Sequence, residues 1–301
     1  MEILFLGTGA TLPSVKRNVS STAVVTDDGV FLFDCGEGTQ RQMMIFGFSF
    51  MRIRCICITH LHGDHVLGLP GLIQSMALMR RKEELTLIGP RGFAAFYKKL
   101  HSAGMVGDAF PVKVTECEDG WKRTFGQMTV SAAEAKHIID TVAYRIDAPV
   151  RAGKFHPEKA LKLGLKPGPL FSILQSYKPV NVGGRIVLPE MVMGKPRPGA
   201  SVGYAVDTRP TRHLATFMRG VNVLIFDSTF SHDLQAKAKQ TGHSTATEAA
   251  QIAMKCGAKR LYLTHISARY NDSSDLLKEA RSVFSPTFAA KDGMRYRVRM
   301  S

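Results

Sequence analysis

The 301-residue sequence is poor in cysteine and has no long hydrophobic run. Its five cysteines are odd in number and contain no Cys-x-x-Cys pair, so no disulfide partner is expected. The longest apolar stretches are too short to cross a bilayer, and the apolar start lacks the basic region of a secretion signal. These absences predict a cytoplasmic protein with neither a membrane partner nor a disulfide framework.

Acidic residues are also scarce relative to basic ones. Lys and Arg number 40 against 25 Asp and Glu, a formal net charge of +15, while 45% hydrophobic content indicates a folded chain. Such an excess attracts polyanions, and without a basic amphipathic helix a nucleic acid is favoured over a membrane surface. The alternative is that the charge serves solubility alone.

Short apolar strands and periodic helical segments alternate along the chain, without repeats or low-complexity tracts. Strands are predicted at 2–6, 21–26, 29–34, 52–58, 85–89, 128–133, 141–146, 203–207, 223–228 and 260–265. Helices are predicted at about 66–81, 91–101, 211–219, 244–256 and 273–283. This alternation predicts an α/β fold with mixed sheets.

Residues 150–199 break this alternation. The segment is dense in Lys, Pro and Gly, and its one clear helical stretch is "PEKALKLG". A plain connection of this length is unusual in a compact domain. We therefore interpret it as a functional insertion, an arm projecting from a body that otherwise spans 1–301.

The segment "THLHGDHVLG" places three histidines and an aspartate within six positions, as His60, His62, Asp64 and His65. It follows the apolar strand "RIRCICI", in which alternate side chains point the same way, so His60 and His62 can face one point. Gly63 allows the turn that brings Asp64 and His65 to a neighbouring point. The alternative is a hydrogen-bonded polar loop, but burying these groups without a cation is costly.

Further candidate ligands follow other predicted strands. His137 ends an alternating run, Asp207 ends "SVGYAVD", His265 ends "RLYLTH", and Asp34 follows "VFLF". Taken singly, each is better explained as a core histidine or a capping aspartate; together they favour a metal site. Because a carboxylate has two oxygens, Asp207 is the natural ligand to bridge two cations.

These residues resemble the metallo-β-lactamase superfamily, whose HxHxDH motif appears as "HLHGDH". Within it the chain resembles the ribonuclease Z family through "FLGTGATLPSVKRNVSS", "GKFHPEKALKLGLKPGPLFSILQ", "VDTRPT", "GHST" and "THISARY", which span nearly the whole chain. The resemblance implies an αβ/βα sandwich with two mixed β-sheets and a projecting arm. It also implies two zinc ions per subunit, with manganese or iron chemically possible.

By this resemblance, one metal takes His60, His62, His137 and Asp207, and the other takes Asp64, His65, Asp207 and His265. Asp34 is expected to orient the ligands without binding metal. Asp64 is the candidate proton acceptor from water, and His243 is the candidate donor to the leaving ribose oxygen.

Two positions depart from the family pattern. Asp227 stands where the family carries Glu as the partner of His243, and "AVDT" replaces "SGDT" around Asp207. The shorter Asp227 side chain leaves the pairing with His243 open, and "DST" also fits a helix cap.

The resemblance further implies hydrolysis on the 3′ side of precursor transfer RNA by a homodimer. Lysines of the arm and its Gly-Pro turn would contact the RNA away from the cut, and basic residues near the metals would bind phosphate. These predicted RNA-binding residues are Lys16, Arg17, Lys154, Lys159, Lys162, Lys166, Gly168, Pro169 and Arg269.

Several alternatives stay open. For any single arm lysine, a place on the solvated face of a helix is the simpler reading, and Lys16 and Arg17 could be ordinary loop charges. The chain could also hydrolyse another phosphodiester or a small ester or lactone, or it could be an inactive RNA-binding scaffold.

Overall fold

The structure, a computed structural model, describes residues 1–298. These residues divide into two compact units. The larger one, called the body here, comprises Met1–Asp147 and residues 200–298. The smaller one, Ala148–Gly199, coincides within two residues with the predicted insertion and is called the arm. Of the domain predicted over 1–301, residues 299–301 lie outside the described part.

Two seven-stranded mixed sheets form the body. In spatial order, the first sheet contains β16 (Arg295–Arg297), β1 (Glu2–Gly7), β2 (Ser21–Thr26), β3 (Gly29–Phe33), β4 (Ile53–Cys57), β5 (Leu85–Gly89) and β6 (Val112–Glu116). The second contains β15 (Thr287–Ala289), β14 (Leu261–Thr264), β13 (Val223–Asp227), β12 (Ser201–Ala205), β9 (Thr141–Asp147), β8 (Met128–Ala135) and β7 (Lys122–Phe125). Strands β3 to β6 run parallel, as do β12 to β15, and the remaining pairs are antiparallel.

Helices connect these strands. In the body they are α1 (Thr39–Ile45), α2 (Gly63–Val66), α3 (Leu69–Leu78), α4 (Phe93–Ser102), α8 (Arg212–Phe217), α9 (Gln235–Thr241), α10 (Ala246–Cys256) and α11 (Ser274–Val283). Single 3₁₀ turns lie at Phe50–Arg52 and His232–Leu234.

Alternation along the strands builds a layered core. In the first sheet, Leu4 and Leu32 face a buried cluster that includes residues of α1, α3 and α4. On the opposite face, the Phe33 ring lies 5.9 Å from Tyr144 in the second sheet. Since apolar layers cover both faces, the strands read as nearly continuous hydrophobic runs, and this explains why the sequence predicted them.

The predicted helix at 66–81 corresponds to α3, which begins only at Leu69; Leu67 and Gly68 separate it from α2, which ends at Val66. A Cβ at Gly68 would lie 2.2 Å from the carbonyl oxygen of Gly36. The Gly68 amide donates to the Cys35 carbonyl oxygen, in the loop after β3, at 2.9 Å instead of continuing α2, and Pro70 has no amide hydrogen to donate, so the two helices stay separate. Sequence periodicity carries no record of such a long-range contact.

The prediction also omitted several short elements of the body. Strands β6, β7, β15 and β16 each have five residues or fewer and lie at the ends of the sheets, and most side chains of β6, β7 and β16 are partly or fully exposed. Their weak apolar alternation explains why they were missed.

The arm has its own small hydrophobic cluster, which includes Leu165, Leu174, Val187 and Val192. Its elements are α5 (Pro157–Lys162), α6 (Pro169–Gln175), β10 (Val180–Val182), β11 (Arg185–Val187) and α7 (Pro189–Val192). The predicted helix in "PEKALKLG" is confirmed as α5. The sequence prediction treated the rest as irregular, because its elements are short and interrupted by Gly and Pro.

All five cysteines are buried with free thiols. Cys55 and Cys57 lie on one face of β4 with their Sγ atoms 3.6 Å apart. They pack as small hydrophobic residues, as expected from their strand.

Within residues 1–298, no helix has both the length and the apolar character that a membrane crossing requires.

Candidate metal centre and active site

The polar residues of the site lie where strands of both sheets end. Asp34 follows β3, the segment from Thr59 to His65 follows β4, Asp207 follows β12, and His265 follows β14. Three of them, Asp34, Asp207 and His265, have left-handed backbone φ angles of 57°, 49° and 58°. Such conformations are strained for residues other than glycine and concentrate at functional sites. The chain therefore turns sharply at each strand end and directs a polar side chain towards a common point.

One cluster consists of His60, His62, His137 and Asp207, whose donor atoms lie within 4.8 Å of one another. The Nε2 of His60 is 3.0 Å from the Nδ1 of His62 and 3.5 Å from the Oδ2 of Asp207. The Nε2 of His137 is 3.7 Å from the same carboxylate oxygen. Four nitrogen and oxygen donors thus surround one point, as zinc prefers.

A second cluster lies on the other side of Asp207 and contains Asp64, His65 and His265. The Oδ1 of Asp207 is 3.3 Å from the Nε2 of His65 and 3.0 Å from the Nε2 of His265. The Oδ2 of Asp64 lies 3.3 Å and 3.5 Å from the same two nitrogens. Asp207 therefore presents one oxygen to each cluster, which is the geometry of a bridging ligand.

Unpaired polar atoms show that these clusters fit cations. Within residues 1–298, the Nε2 atoms of His65, His137 and His265 and the Oδ1 of Asp207 are buried without a hydrogen-bond partner. Leaving buried polar atoms unpaired costs about 1–3 kcal/mol each. Divalent cations bound by these atoms would remove that cost.

Hydrogen bonds on the far side of three ligand imidazoles direct their other nitrogen into the site. The Nδ1 of His65 contacts the Oδ2 of Asp34 at 2.8 Å, and the Nδ1 of His265 contacts the Oγ1 of Thr229 at 2.9 Å. The Nδ1 of His137 donates to the backbone oxygen of Gly242. These bonds fix the tautomers that leave Nε2 free to bind metal.

Among the described residues, Asp34 belongs to neither ligand cluster and contacts the His65 imidazole on its far side. Its buried carboxylate accepts hydrogen bonds from the amide and hydroxyl of Thr59 and from the hydroxyl of Tyr204, besides its contact with His65. Thr59, Tyr204 and Thr229 were not predicted as site residues. Their roles depend on contacts between distant segments, and sequence spacing gave no sign of them.

Electrostatics favour positive charge in the second cluster. Burial alone would raise the pKa of the Asp207 and Asp64 carboxyls, but interactions with His265 and His65 outweigh it and hold both pKa values well below their usual range. Burial would lower the pKa of His265, but the Asp207 carboxylate outweighs this and raises it to about 10. A divalent cation would meet the same demand with the imidazoles deprotonated.

His243 and Asp227 form a hydrogen-bonded pair beside the clusters. The Nδ1 of His243 lies 3.0 Å from the Oδ2 of Asp227, so the shorter carboxylate at this position does reach the imidazole. Asp227 also accepts hydrogen bonds from the Thr208 amide and from the amide and hydroxyl of Thr229. Although Asp227 lies close enough to Asp207, His243 and His265 for a metal group, these hydrogen bonds occupy both its oxygens and favour an orienting role.

A cleft of about 560 Å³ opens onto both clusters and His243. Asp64, His137, Asp207 and His243 line it. The Oδ2 of Asp64 accepts a 2.8 Å hydrogen bond from the Thr11 amide, which fixes the carboxylate at the cleft wall. Exposed Leu12 also lines the cleft.

Near the site, the predicted RNA-binding residues differ in their availability. Lys16 is exposed, and its Nζ lies 3.3 Å from the Asn271 carbonyl oxygen. Arg17 instead directs its guanidinium to the Thr8 hydroxyl and the Ala290 carbonyl. Arg269 lies over the Phe230 ring at 4.8 Å.

The predicted RNA-binding residues of the arm are all exposed to solvent; they are Lys154, Lys159, Lys162, Lys166, Gly168 and Pro169. Gly168 precedes α6, and Pro169 is its first residue. RNA contact by these residues stays a prediction.

Comparisons with known proteins agree over the whole chain. The chain is 44% identical to ribonuclease Z of Methanothermobacter thermautotrophicus over 299 residues, covering 99% of this chain and 97% of that protein. It is 43% identical to ribonuclease Z of Archaeoglobus fulgidus, with 99% and 97% covered. The chain belongs to the ribonuclease Z family. As a member of that family it is a metal-dependent endoribonuclease, and the predicted family is confirmed.

Structural and family-model comparisons agree on the fold. The crystal structure of the short form of human tRNase Z matches with a TM-score of 0.72 at 24% identity, covering 100% of both chains. A model described as a beta-lactamase superfamily domain matches residues 191–266, and one described as anti-Pycsar protein Apyc1 matches residues 1–145. The predicted metallo-β-lactamase sandwich with two mixed sheets is confirmed.

Proposed function

We propose that this ribonuclease Z removes the 3′ trailer from precursor transfer RNA by hydrolysing one phosphodiester. Two zinc ions held by the seven ligand residues are its proposed cofactors, and a cytoplasmic homodimer is its proposed form. The main support is the placement of the His243–Asp227 pair beside two ligand clusters that share Asp207. Hydrolysis of a phosphodiester with an alkoxide leaving group needs cations that bind the phosphate and a group that protonates the leaving oxygen. This cleft contains candidates for both.

When bound, the divalent cations would supply Lewis acidity that makes water nucleophilic near neutral pH and neutralises the developing phosphate charge. The ionised Asp64 carboxylate, fixed by the Thr11 amide, would accept the proton of the attacking water. As the bond from phosphorus to the ribose 3′ oxygen breaks, the His243 imidazole would give that oxygen a proton. The products are a 3′-hydroxyl on the transfer RNA and a 5′-phosphate on the trailer.

Asp227 would hold His243 ready for this transfer. Because its carboxylate contacts Nδ1, the Nε2 of the imidazole is left to face the substrate. The carboxylate also stabilises the protonated imidazole, as acid–base pairs of this kind require.

The arm would supply affinity for the RNA. Residues 150–199 contain nine Lys and Arg against two Asp and Glu. Such a concentration of positive charge suits the phosphate backbone of a folded RNA.

The direct test is incubation of the purified enzyme with a 3′-extended transfer RNA, followed by mapping of both product ends. We expect a single cut that leaves a 3′-hydroxyl, and loss of that cut in His65→Ala. Metal analysis should show two equivalents per chain, falling to about one in His65→Ala and in His137→Ala.

Two outcomes would contradict the proposal. If His65→Ala cleaved the precursor as fast as the unaltered enzyme, cleavage would not depend on metal at these ligands. Turnover of a small phosphodiester without cleavage of the precursor would instead favour a different substrate for the same site.

A further inference from the structure

Arg209 lies two residues beyond Asp207, and its side chain crosses to the segment that contains His243. Its Nη1 donates to the His243 carbonyl oxygen at 2.5 Å and to the Oε2 of Glu248 at 2.8 Å. Its Nη2 bonds the other oxygen of Glu248. The side chains of Arg209 and Glu248 are only 15% and 6% exposed, so this two-pronged ion pair is almost buried.

Glu248 in turn fixes the start of α10, whose first residue, Ala246, lies three residues after His243. Its carboxylate accepts from the Thr245 amide at 3.0 Å, and the Thr245 hydroxyl accepts from the Glu248 amide at 3.2 Å. This capping box anchors the backbone two residues after His243. Arg209 therefore holds the acid's own carbonyl and, through Glu248, the helix that follows it.

The backbone of Arg209 adds a connection to the ligand His137. Its amide donates to the Lys136 carbonyl oxygen at 2.8 Å, and the Lys136 amide donates to the Thr208 hydroxyl at 3.0 Å. Thr208 and Lys136, which adjoin the ligands Asp207 and His137, are therefore hydrogen-bonded to each other. Arg209 takes part in this contact through its backbone and binds His243 through its side chain.

We propose that Arg209 is a positioning residue for the proton donor, holding the His243 imidazole at a fixed place relative to the ligand clusters. The inference rests on the proposed function. Asp227 binds the imidazole of His243. The main chain of His243 has two anchors: its amide donates to the Ala238 carbonyl oxygen at 2.8 Å, and its carbonyl oxygen accepts from Arg209. Without the second anchor, the peptide group after His243 can rotate, and the imidazole loses its alignment with the leaving oxygen.

A role in positioning His243 predicts different effects on two substrates, whereas general structural support predicts the same effect on both. A ribose leaving group needs a proton, whereas 4-nitrophenolate leaves readily without one. Loss of Arg209 should therefore slow precursor cleavage much more than hydrolysis of bis(4-nitrophenyl) phosphate, because both reactions need the metals but only the first needs the acid.

The experiment compares Arg209→Gln, the double variant Arg209→Gln/Glu248→Gln and the control Arg212→Gln on both substrates. The double variant leaves no unpaired buried charge, which protects the test against misfolding. Arg212 is exposed at the start of α8, so the control makes the same chemical change outside the network.

For both Arg209 variants we expect kcat on the precursor to fall about tenfold to a hundredfold. We expect KM and bis(4-nitrophenyl) phosphate turnover to change by less than about threefold, with metal content unchanged. Arg209→Lys should recover only part of the loss, because one ammonium cannot reproduce the planar fork.

Parallel loss on both substrates would overturn the proposal, since it would mean that Arg209 supports the whole metal site. An unchanged kcat on both would overturn it equally. Failure of the proposed function has a different signature: the unaltered enzyme would leave the precursor intact while hydrolysing the small diester.

Discussion

At the residue scale, Asp227 shows how a shorter side chain can keep a contact that the family pattern assigns to Glu. It directly ends β13 and is fully buried, with four hydrogen bonds that fix both oxygens. Its backbone position brings the carboxylate to His243 without the extra methylene. The spacing of the two residues in the sequence could not show that the Asp227 carboxylate reaches the His243 imidazole.

Replacing Asp227 with Asn should slow precursor cleavage by about a hundredfold, because the amide cannot stabilise a charged imidazole and can turn its donor towards Nδ1. Single-turnover rates on a 3′-extended transfer RNA measure the effect. Asp233→Asn, at an exposed aspartate, is the matched control and should leave the rate unchanged.

Metal analysis of the Asp227→Asn protein separates the two possible roles. If Asp227 orients His243, the variant keeps both metal equivalents. Loss of one equivalent would mean instead that Asp227 is a ligand, which the donor group with Asp207, His243 and His265 would allow.

Local ligands were the easiest to find from sequence. His60, His62, Asp64 and His65 come from one short loop, so the alternation of a strand and one Gly turn sufficed to propose them. His137, Asp207 and His265 were proposed from their positions after predicted strands, although each alone had a simpler explanation. Their assignment to two separate metals needed the family resemblance, because only the sheet topology brings them together. Thr229 and Arg209 were assigned no role in the site, since their contacts join segments 36 and 39 residues apart.

At the scale of elements, the arm carries a disproportionate share of the charge. Its helix α5 includes the exposed residues Lys159 and Lys162. Ala160, which lies between them in the sequence, packs in the arm's apolar cluster. Charge can therefore be reversed on α5 without touching the arm's own core.

Replacing Lys159 and Lys162 with Glu should raise KM for precursor transfer RNA by about tenfold and flatten its salt dependence by about two units of log–log slope. Hydrolysis of bis(4-nitrophenyl) phosphate should not change. Lys255→Glu/Lys259→Glu reverses the same charge on exposed body residues and is the control. Equal effects of both pairs would indicate non-specific attraction rather than a binding arm.

Sequence patterns predicted the elements that are buried on both faces and missed those at the edges. Strands such as β4 and β13 are almost uniformly apolar, and their interior position in a sheet makes that pattern necessary. The arm's short elements follow turns and prolines instead of a period, so its conformation depends on the small cluster that they share.

At the scale of the whole molecule, the net charge of +15 should dominate encounter with RNA. We expect kcat/KM for the precursor to fall by at least two orders of magnitude between about 50 and 200 mM salt, through counterion release. The small diester makes few phosphate contacts and should lose less than about threefold over the same range. Parallel curves for the two substrates would show that salt acts on the metal centre.

The left-handed turns after β3, β12 and β14 separate the placement of the polar site residues from the packing of the core. Each turn directs its polar side chain out of the strand's alternating pattern, so the turn, and not the packing of the strand's apolar side chains, sets the place of the donor atom. A single residue inserted before one of these turns would rotate the side chain away from the ligand clusters, and we expect loss of precursor cleavage.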